Sequence, residues 1–449
     1  MTGTQSQSHA AALGTGLSGR VVAAGDGDWD AARQAFNLKL DQRPDAVVFP
    51  ADAQDVASAV RFAADRGLRV AAQRTGHGAG PLGDLAGTIL LKTKALDAVE
   101  VDAAGCRARV GAGASWRDVV PLAAEQGLAA LHGSAADAGV VGYTLGGGVG
   151  WYGRQHGLAA NRVLAAELVT ADGEQRRVDA DTDADLFWAL RGGGGCFGVV
   201  TTLELELLPV PEVQAGILYF PFEQAGEALH AWREWTATLP EEVTSLGRLM
   251  QYPSFPQVPE PVRGKSFALV EAVSLLDEAA TAELLAPLRA LGPTTDTFAS
   301  QGPAGIAGLH MDPPEPVPAL SQHQLLAGLP AQAIEDLVAV AGPGSGSPLL
   351  SVEVRHAGGA LARREPFLEF AVGPAPAPPI AEAVAASLAR VSDALAPYDA
   401  GARFLNFQDE RVEPETFFDD ATLARLRAVK AQVDPANTIR GNHDIAPTG

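Results

Sequence analysis

His77 sits alone between glycines in residues 74–80, which read Arg-Thr-Gly-His-Gly-Ala-Gly. Flanking glycines free the backbone for positive φ angles and let it approach a ligand closely. An imidazole on such a loop can serve as a nucleophile or as an anchor, and a stretch this short does not decide between them. The second chemistry-bearing stretch is residues 139–150, Gly-Val-Val-Gly-Tyr-Thr-Leu-Gly-Gly-Gly-Val-Gly. Runs of glycine whose N–H groups point one way form anion-binding concavities. With Ser134 and Asp137 just upstream, this run reads as a ligand cradle rather than a packed turn. Gly14-Thr-Gly-Leu-Ser-Gly19 matches a dinucleotide fingerprint by letter. That fingerprint works through a preceding strand and a following helix. Here a polar tail precedes it and residues 21–24 follow, so it is rejected as a phosphate-binding loop.

At 449 residues the chain exceeds what one hydrophobic core usually serves, which makes two domains the expectation. A hydrophobic share of 47% against 19% charged residues is that of a globular chain. The net charge of −21 argues against nucleic acid or an anionic membrane as partner and reads as solubility. Two cysteines, Cys106 and Cys196, exclude a disulfide scaffold and a multi-cysteine metal site. No metal is expected. Residues 1–19 lack the basic and apolar regions of a secretory signal. The longest nearly uncharged stretch, 126–153, carries nine glycines rather than a run of bulky apolar side chains. No membrane segment and a cytoplasmic location are therefore expected.

The elements that must position these loops follow from apolar spacing. Ala46–Phe49 reads as a strand, and Asp52 caps a helix over residues 53–65. Arg69–Gln73 is the strand that delivers His77. Residues 88–91, 98–101 and 107–110 are further strands, and Ser115 caps a helix to about residue 126. Residues 163–170 and 174–178 form a hairpin around Ala171-Asp-Gly173. A short helix spans 183–191, and a long alternating strand spans 199–208 up to Pro209. The texture then changes. Strands at 217–220, 267–273 and 349–354 mix with helical patterns at 222–239, 276–291, 331–340 and 379–395. That mixture predicts an α+β unit with an antiparallel sheet. Pro-rich joints lie at 311–318 and 374–379. From about Tyr398 the chain is polar and aromatic again, with a last helix near 421–432.

Six segments in order resemble the FAD-linked oxidases of the berberine-bridge-enzyme type, within the vanillyl-alcohol-oxidase superfamily. They are Arg74-Thr-Gly-His-Gly78, Val110-Gly-Ala-Gly-Ala-Ser-Trp116, Leu145-Gly-Gly-Gly-Val-Gly150, Glu167-Leu-Val-Thr-Ala-Asp-Gly173, Asp185-Leu-Phe-Trp-Ala-Leu-Arg-Gly-Gly-Gly-Gly195 and Phe197-Gly-Val-Val-Thr201. Asn406-Phe-Gln-Asp409 and Asp434-Pro-Ala-Asn437 fit the closing segment. The resemblance covers essentially the whole chain and is strongest over 47–208. It implies an α+β fold: a PCMH-type FAD-binding domain formed by both chain ends, residues 1–208 and 398–449, with a substrate domain, 209–397, inserted between them. It also implies that the His77 loop binds the FAD pyrophosphate and that His77 is covalently joined to the flavin. Extended to single positions, it assigns Arg74, Thr75, Gly76, His77, Gly78, Ala79, Ser134, Asp137, Gly139, Gly142, Thr144, Gly146, Gly147, Gly148, Gly150, Val169, Asn406 and Phe407 to the cofactor.

Departures from the family pattern carry information. Many members hold the flavin a second time through a cysteine shortly before the Gly-Gly-Gly segment. This chain has Ala135 at or near that place, so a single covalent bond, through His77 alone, is expected. Cys196 stands where relatives usually show asparagine and reads as a small buried residue. Relatives often abstract a proton with a tyrosine just before the closing asparagine, where this chain has Phe404, which cannot be a base. The remaining candidates are His310, His323 and His356, with Tyr143 and Tyr152 near the flavin loop; His156 reads as structural. The expected activity is an oxidase that takes hydride from a small-molecule alcohol, sugar, amine or aromatic secondary metabolite and uses O2 as acceptor. The alternatives are a dehydrogenase with another acceptor and a drug-binding or reoxidising resistance protein on the same fold.

Overall fold

The computed structural model describes residues 3–361 and 365–448. Its first sheet runs Arg20–Val22, Ala46–Phe49, Thr88–Lys92, Arg69–Gln73, Ile439–Arg440 from edge to edge. Ala46–Phe49 and Thr88–Lys92 pair in parallel, and their near-continuous apolar runs are buried, as strands covered on both faces require. Helix Ala53–Ala64 lies over them, capped by Asp52, whose side chain accepts from Asp55 N. The Asp55 carboxylate in turn accepts from the backbone N–H groups of Ser18 and Gly19 at 2.9 and 2.7 Å. Those amides are committed to a protein carboxylate, which accounts physically for the rejected fingerprint at residues 14–19. The polar tail expected at the N-terminus is instead a helix, Gly3–Gly14. Ala10 and Leu13 join the core under Val48 and Val56, two apolar positions too few to register as periodicity.

The second sheet is antiparallel, in the order Val99–Asp102, Arg107–Gly111, Val199–Glu206, Val163–Val169, Gln175–Asp179. Its core takes in Trp116, Leu168, Phe197 and Leu203 together with Leu423 and Leu426 of the C-terminal helix Asp420–Val433. On that helix the fully buried Lys430 donates to Cys196 O and Asp434 Oδ2 at 2.6 Å and to Ile439 O at 2.8 Å. Asp434 also accepts from Thr438 N and Ile439 N. This knot fixes the turn that returns Ile439–Arg440 beside Val70 and Ala71 of the strand leading to His77.

The chain between Glu206 and the C-terminal helix forms a large antiparallel sheet in the order Thr295–Asp296, Val213–Pro221, Ser266–Ser274, Val243–Gln251, Ser351–His356, Phe367–Pro374, Ala319–Leu326, with Ala299–Gln301 also on Val213–Pro221. Helices Ala225–Thr236, Glu278–Arg289, Ala331–Ala341 and Pro378–Leu395 cover one face with Leu229, Trp232, Leu288, Leu337 and Val391. The strands at 243–251, 319–326 and 367–374 are absent from the sequence expectation, because polar residues interrupt their apolar alternation. The opposite face carries Leu246, Val273 and Leu368, which meet Trp151, Tyr152, Leu158 and Phe404 of the flanking parts. The architecture is the mixed α+β arrangement expected for a PCMH-type flavoprotein. No helix among the described residues is long and apolar enough to cross a membrane.

Candidate active site

Arg69–Gln73 ends in the loop that carries His77, and Gly76 makes the turn there at φ +80, a conformation open to glycine. The ring stacks on Phe36 with centroids 3.8 Å apart. Its Nδ1 lies 2.7 Å from Thr75 Oγ1, and its Nε2 lies 3.5 Å from Asp137 Oδ2. Burial pushes the imidazole pKa down to about 4; Asp312 opposes the shift and Arg74 adds to it. The ring is therefore neutral near pH 7, with a lone pair available for bonding. Burial likewise raises the pKa of Asp137.

The loop opens on a cavity of ≈ 290 Å³. Of the residues assigned from sequence, Arg74, Thr75, Gly76, His77, Gly78, Ser134, Gly139, Gly142, Gly146, Asn406 and Phe407 line it, and so does Tyr143. Gly150 lies in the wall of a second cavity beside it. Ala79, Asp137, Thr144, Gly147, Gly148 and Val169 line neither. Val169 belongs to the core under the first sheet. Gly148 acts from behind: its N–H donates to Asn406 Oδ1 at 2.9 Å, while Asn406 Nδ2 donates to Tyr143 O at 3.0 Å. One side chain from the C-terminal segment thus clamps both ends of residues 143–148.

The cavity fits a large planar and anionic group. A Cβ added at Gly142, Gly194 or Gly195 would meet no protein atom within 4 Å. All three line the cleft; at Gly142 and Gly195 a side chain would occupy ligand space without disturbing protein packing, whereas at Gly194, with φ +77, it would also strain the backbone. Arg74 and Arg440 place positive charge in the same wall. Gly142→Val should accordingly leave the apoprotein's melting temperature unchanged and weaken cofactor binding by about 1–3 kcal/mol, the cost of overpacking a fitted site. Titration of the apoprotein with FAD measures this. Ala135 lines the cleft, whereas Cys196 is buried with its Sγ 3.1 Å from His443 O and its thiol pushed up to about 11 by burial. Cys106 lies outside the lining.

The second cavity, of ≈ 50 Å³, shares Ser134, Val149 and Arg355 with the first. Phe404 and His356 line it. The other proton-transfer candidates are placed differently. Tyr152 is buried in the core between the sheet and the glycine run, and burial drives its hydroxyl and that of Tyr143 well above the usual phenol range. His323 lines neither cavity; its Nε2 accepts from Phe404 N at 2.9 Å, and burial pushes it down to about 3. His310 is sealed in a charged cluster on the sheet, 2.7 Å from Glu271 and 3.0 Å from Glu353. His356 stacks on Phe367 and is pushed down to about 3, by burial first and then by Arg154. Arg355, absent from the sequence expectation, is the charged residue that lines both cavities. Its Nε is held by Glu353 Oε1 at 2.6 Å, and its Nη2 lies 3.4 Å from Ser134 Oγ. The available signal is a glutamate and an arginine two apart in the strand Ser351–His356, on one face of it.

Comparison with known proteins accords with this geometry. Residues 44–179 match the FAD binding domain family, and residues 403–446 match the berberine and berberine-like family. The chain is 37% identical to (R)-6-hydroxynicotine oxidase of Paenarthrobacter nicotinovorans over 43% of each chain. It is 34% identical to glucooligosaccharide oxidase of Sarocladium strictum over 41% of this chain and 38% of that one. The match thus spans less than half the length of either curated relative. The solved structure of 6-hydroxy-D-nicotine oxidase from Arthrobacter nicotinovorans superimposes with a TM-score of 0.79 and 27% identity, covering 96% of this chain and 98% of that one. The chain thus carries an FAD binding domain at residues 44–179 and a berberine-like segment at residues 403–446, on a fold similar to that of 6-hydroxy-D-nicotine oxidase.

Proposed function

We propose that the protein is an oxidase that holds FAD in the larger cavity, covalently through His77 alone, and oxidises a small molecule bound in the smaller one, with O2 as acceptor and H2O2 as product. The observation that carries this reading is the shared wall: Ser134, Val149 and Arg355 border both cavities, so a substrate in one lies against a planar group in the other. FAD, when bound, supplies the acceptor for a two-electron oxidation of a substrate C–H bond. The chain's own residues do the rest. Arg74 and the glycine N–H groups of residues 76–78 and 139–142 offset phosphate charge. Neutral His77 offers a nucleophilic nitrogen whose orientation Thr75 sets. Arg355, restrained by Glu353, places a fixed positive charge at the junction, where negative charge developing on an electron-accepting ring is stabilised. Phe404 and the leucines of the smaller cavity exclude water from the reacting carbon.

The two curated relatives, a 6-hydroxynicotine oxidase and a glucooligosaccharide oxidase, bracket the substrate classes open to this chain. The test is stoichiometric. One H2O2 should form per substrate oxidised, and air should restore the yellow colour of substrate-bleached protein within the turnover time. Recovery much slower than turnover would refute the oxidase assignment.

A further inference from the structure

We propose that the smaller cavity recognises a compact, otherwise apolar amine and excludes carbohydrates. The inference rests on the oxidase reading for its chemistry but on the cavity walls for its selectivity. Val149, Leu158, Leu246, Leu325, Leu368 and Phe404 form an apolar wall of a space of ≈ 50 Å³. A sugar ring carries hydroxyls around its whole rim, and each needs a partner once it leaves water. Aliphatic and phenyl walls supply none.

Among the polar side chains of the lining, Ser245 accepts from Trp232 Nε1 and Arg355 is held by Glu353, whereas three others carry unpartnered atoms. Trp151 Nε1, His356 Nδ1 and Glu365 Oε2 are each buried without a hydrogen-bond partner among the described residues, and all three residues line this cavity. Native interiors rarely leave such groups unpaired, so a cavity bordered by three of them is furnished for a ligand. Their roles are complementary. The indole N–H only donates, an ionised carboxylate only accepts, and a neutral imidazole nitrogen does one or the other. A protonated secondary amine has two N–H groups, one for the carboxylate and one for the imidazole nitrogen, which an ether or a hydrocarbon lacks. Charge points the same way. The Arg355 guanidinium is matched by Glu353, while Glu365 has no ion-pair partner among the described residues. The placement is firm because His356 pairs with Phe367 across the sheet and Ala357 N donates to Pro366 O at 2.8 Å, which keeps positions 356 and 365 on adjoining chains. Oxidation of such an amine breaks one C–H and one N–H bond and forms a C=N bond. The two electrons and two protons leave with O2 as H2O2.

Equilibrium dialysis of the reduced holoenzyme under argon against N-methylbenzylamine, benzyl alcohol and cellobiose tests recognition without turnover. The amine should bind about tenfold or more tighter than the alcohol, the difference one charge-assisted hydrogen bond makes, and cellobiose should not bind. Glu365→Gln should abolish the amine's advantage, and Glu365→Asp should restore part of it, with retained flavin colour as the check on folding. Tighter binding of cellobiose, equal binding of amine and alcohol, or an undiminished preference in Glu365→Gln overturns the proposal. An amine preference without aerobic H2O2 supports the recognition site and refutes the oxidase reading, which separates the two.

Discussion

His77→Ala should take the covalently retained flavin from full occupancy to none, so that acid precipitation leaves a colourless pellet and a yellow supernatant. The assignment follows from the family resemblance of the His77 loop; His443, which also lines the cleft and is also held neutral by burial, packs on Phe417 and is the rival that the variant tests. A covalent hold on a flavin needs a nucleophile facing the cavity, and His77 is a neutral imidazole in its lining. Neither cysteine reaches the cavity, and Ala135 occupies the lining where a thiol would be placed. The pH dependence sharpens the test. A histidine of ordinary pKa would lose its nucleophilic form below pH 6.5, whereas burial holds His77 neutral down to about 4. Apoprotein incubated with FAD should therefore form the link at nearly constant rate from pH 8 to pH 5 and slow only as pH approaches 4. Thr75→Val removes the Nδ1 partner at 2.7 Å and should slow the linkage without abolishing it, because orientation is lost and the nucleophile is not. Colour that stays with precipitated His77→Ala protein would place the link elsewhere or show none is needed.

The parts of this site that were legible in the sequence are those whose composition is the cause of their conformation. Glycine at 76 and in the run from 139 to 150 is required by backbone geometry and by close approach, so the residue type announces the loop. The hairpin at 163–179 and the caps Asp52 and Ser115 are local for the same reason; the Asp118 carboxylate takes both the N–H and the hydroxyl of Ser115 at 2.8 and 2.7 Å. What stayed hidden depends on contacts far apart in the chain. Phe36 stacks on His77 from 41 positions away, and Asn406 clamps a loop that begins at residue 143. The strand Ala319–Leu326 reads Gln-His-Gln at its centre because its polar groups are satisfied by partners on other elements, His323 by Phe404 N and Gln322 by Glu369. A hydrophobic pattern cannot reveal a strand whose buried positions are polar. Arg355 is illegible on the same grounds: its importance comes from Glu353 and from the meeting of two cavities, neither of which spacing encodes.

The largest stability effect should come from the charged cluster on that face of the sheet, through Arg248→Leu. Arg248 Nη1 lies 3.0 Å from Glu271 Oε1, and its Nε donates to Ser351 Oγ at 2.7 Å. His310 bridges Glu271 at 2.7 Å and Glu353 at 3.0 Å, and Glu353 holds Arg355. All but Arg355 are nearly inaccessible, with Glu271 at 0% exposure. Removing the guanidinium leaves Glu271 to His310 alone, since Arg355 answers Glu353, and breaking a buried pair in this way costs about 3–5 kcal/mol. An exposed pair such as Arg20–Asp28 should give about 0–1 kcal/mol when broken in the same way. Arg248→Leu combined with Glu271→Gln should recover part of the loss, since the stranded charge is then gone. The cluster also sets a pH window. Burial and Arg248 oppose protonation of His310, but Glu271, Glu353 and Asp312 outweigh them and raise it to about 9. A pKa raised on folding from 6.5 means that this stabilisation is complete below pH 6.5 and disappears as pH climbs through 9. Glu353 is held below its ordinary 4.5 despite burial, by Arg355 and His310 first. Its contribution is present above that value and is lost as pH falls below it. The cluster should therefore stabilise the fold most between about pH 4.5 and 6.5. Thermal melts of the wild type should fall between pH 6.5 and 9.5 by more than those of His310→Gln, which lacks the titrating group; parallel curves would mean that His310 carries no proton there. Because the same carboxylate restrains Arg355, substrate turnover should decline over the same alkaline range in the wild type and be low and flat in the variant.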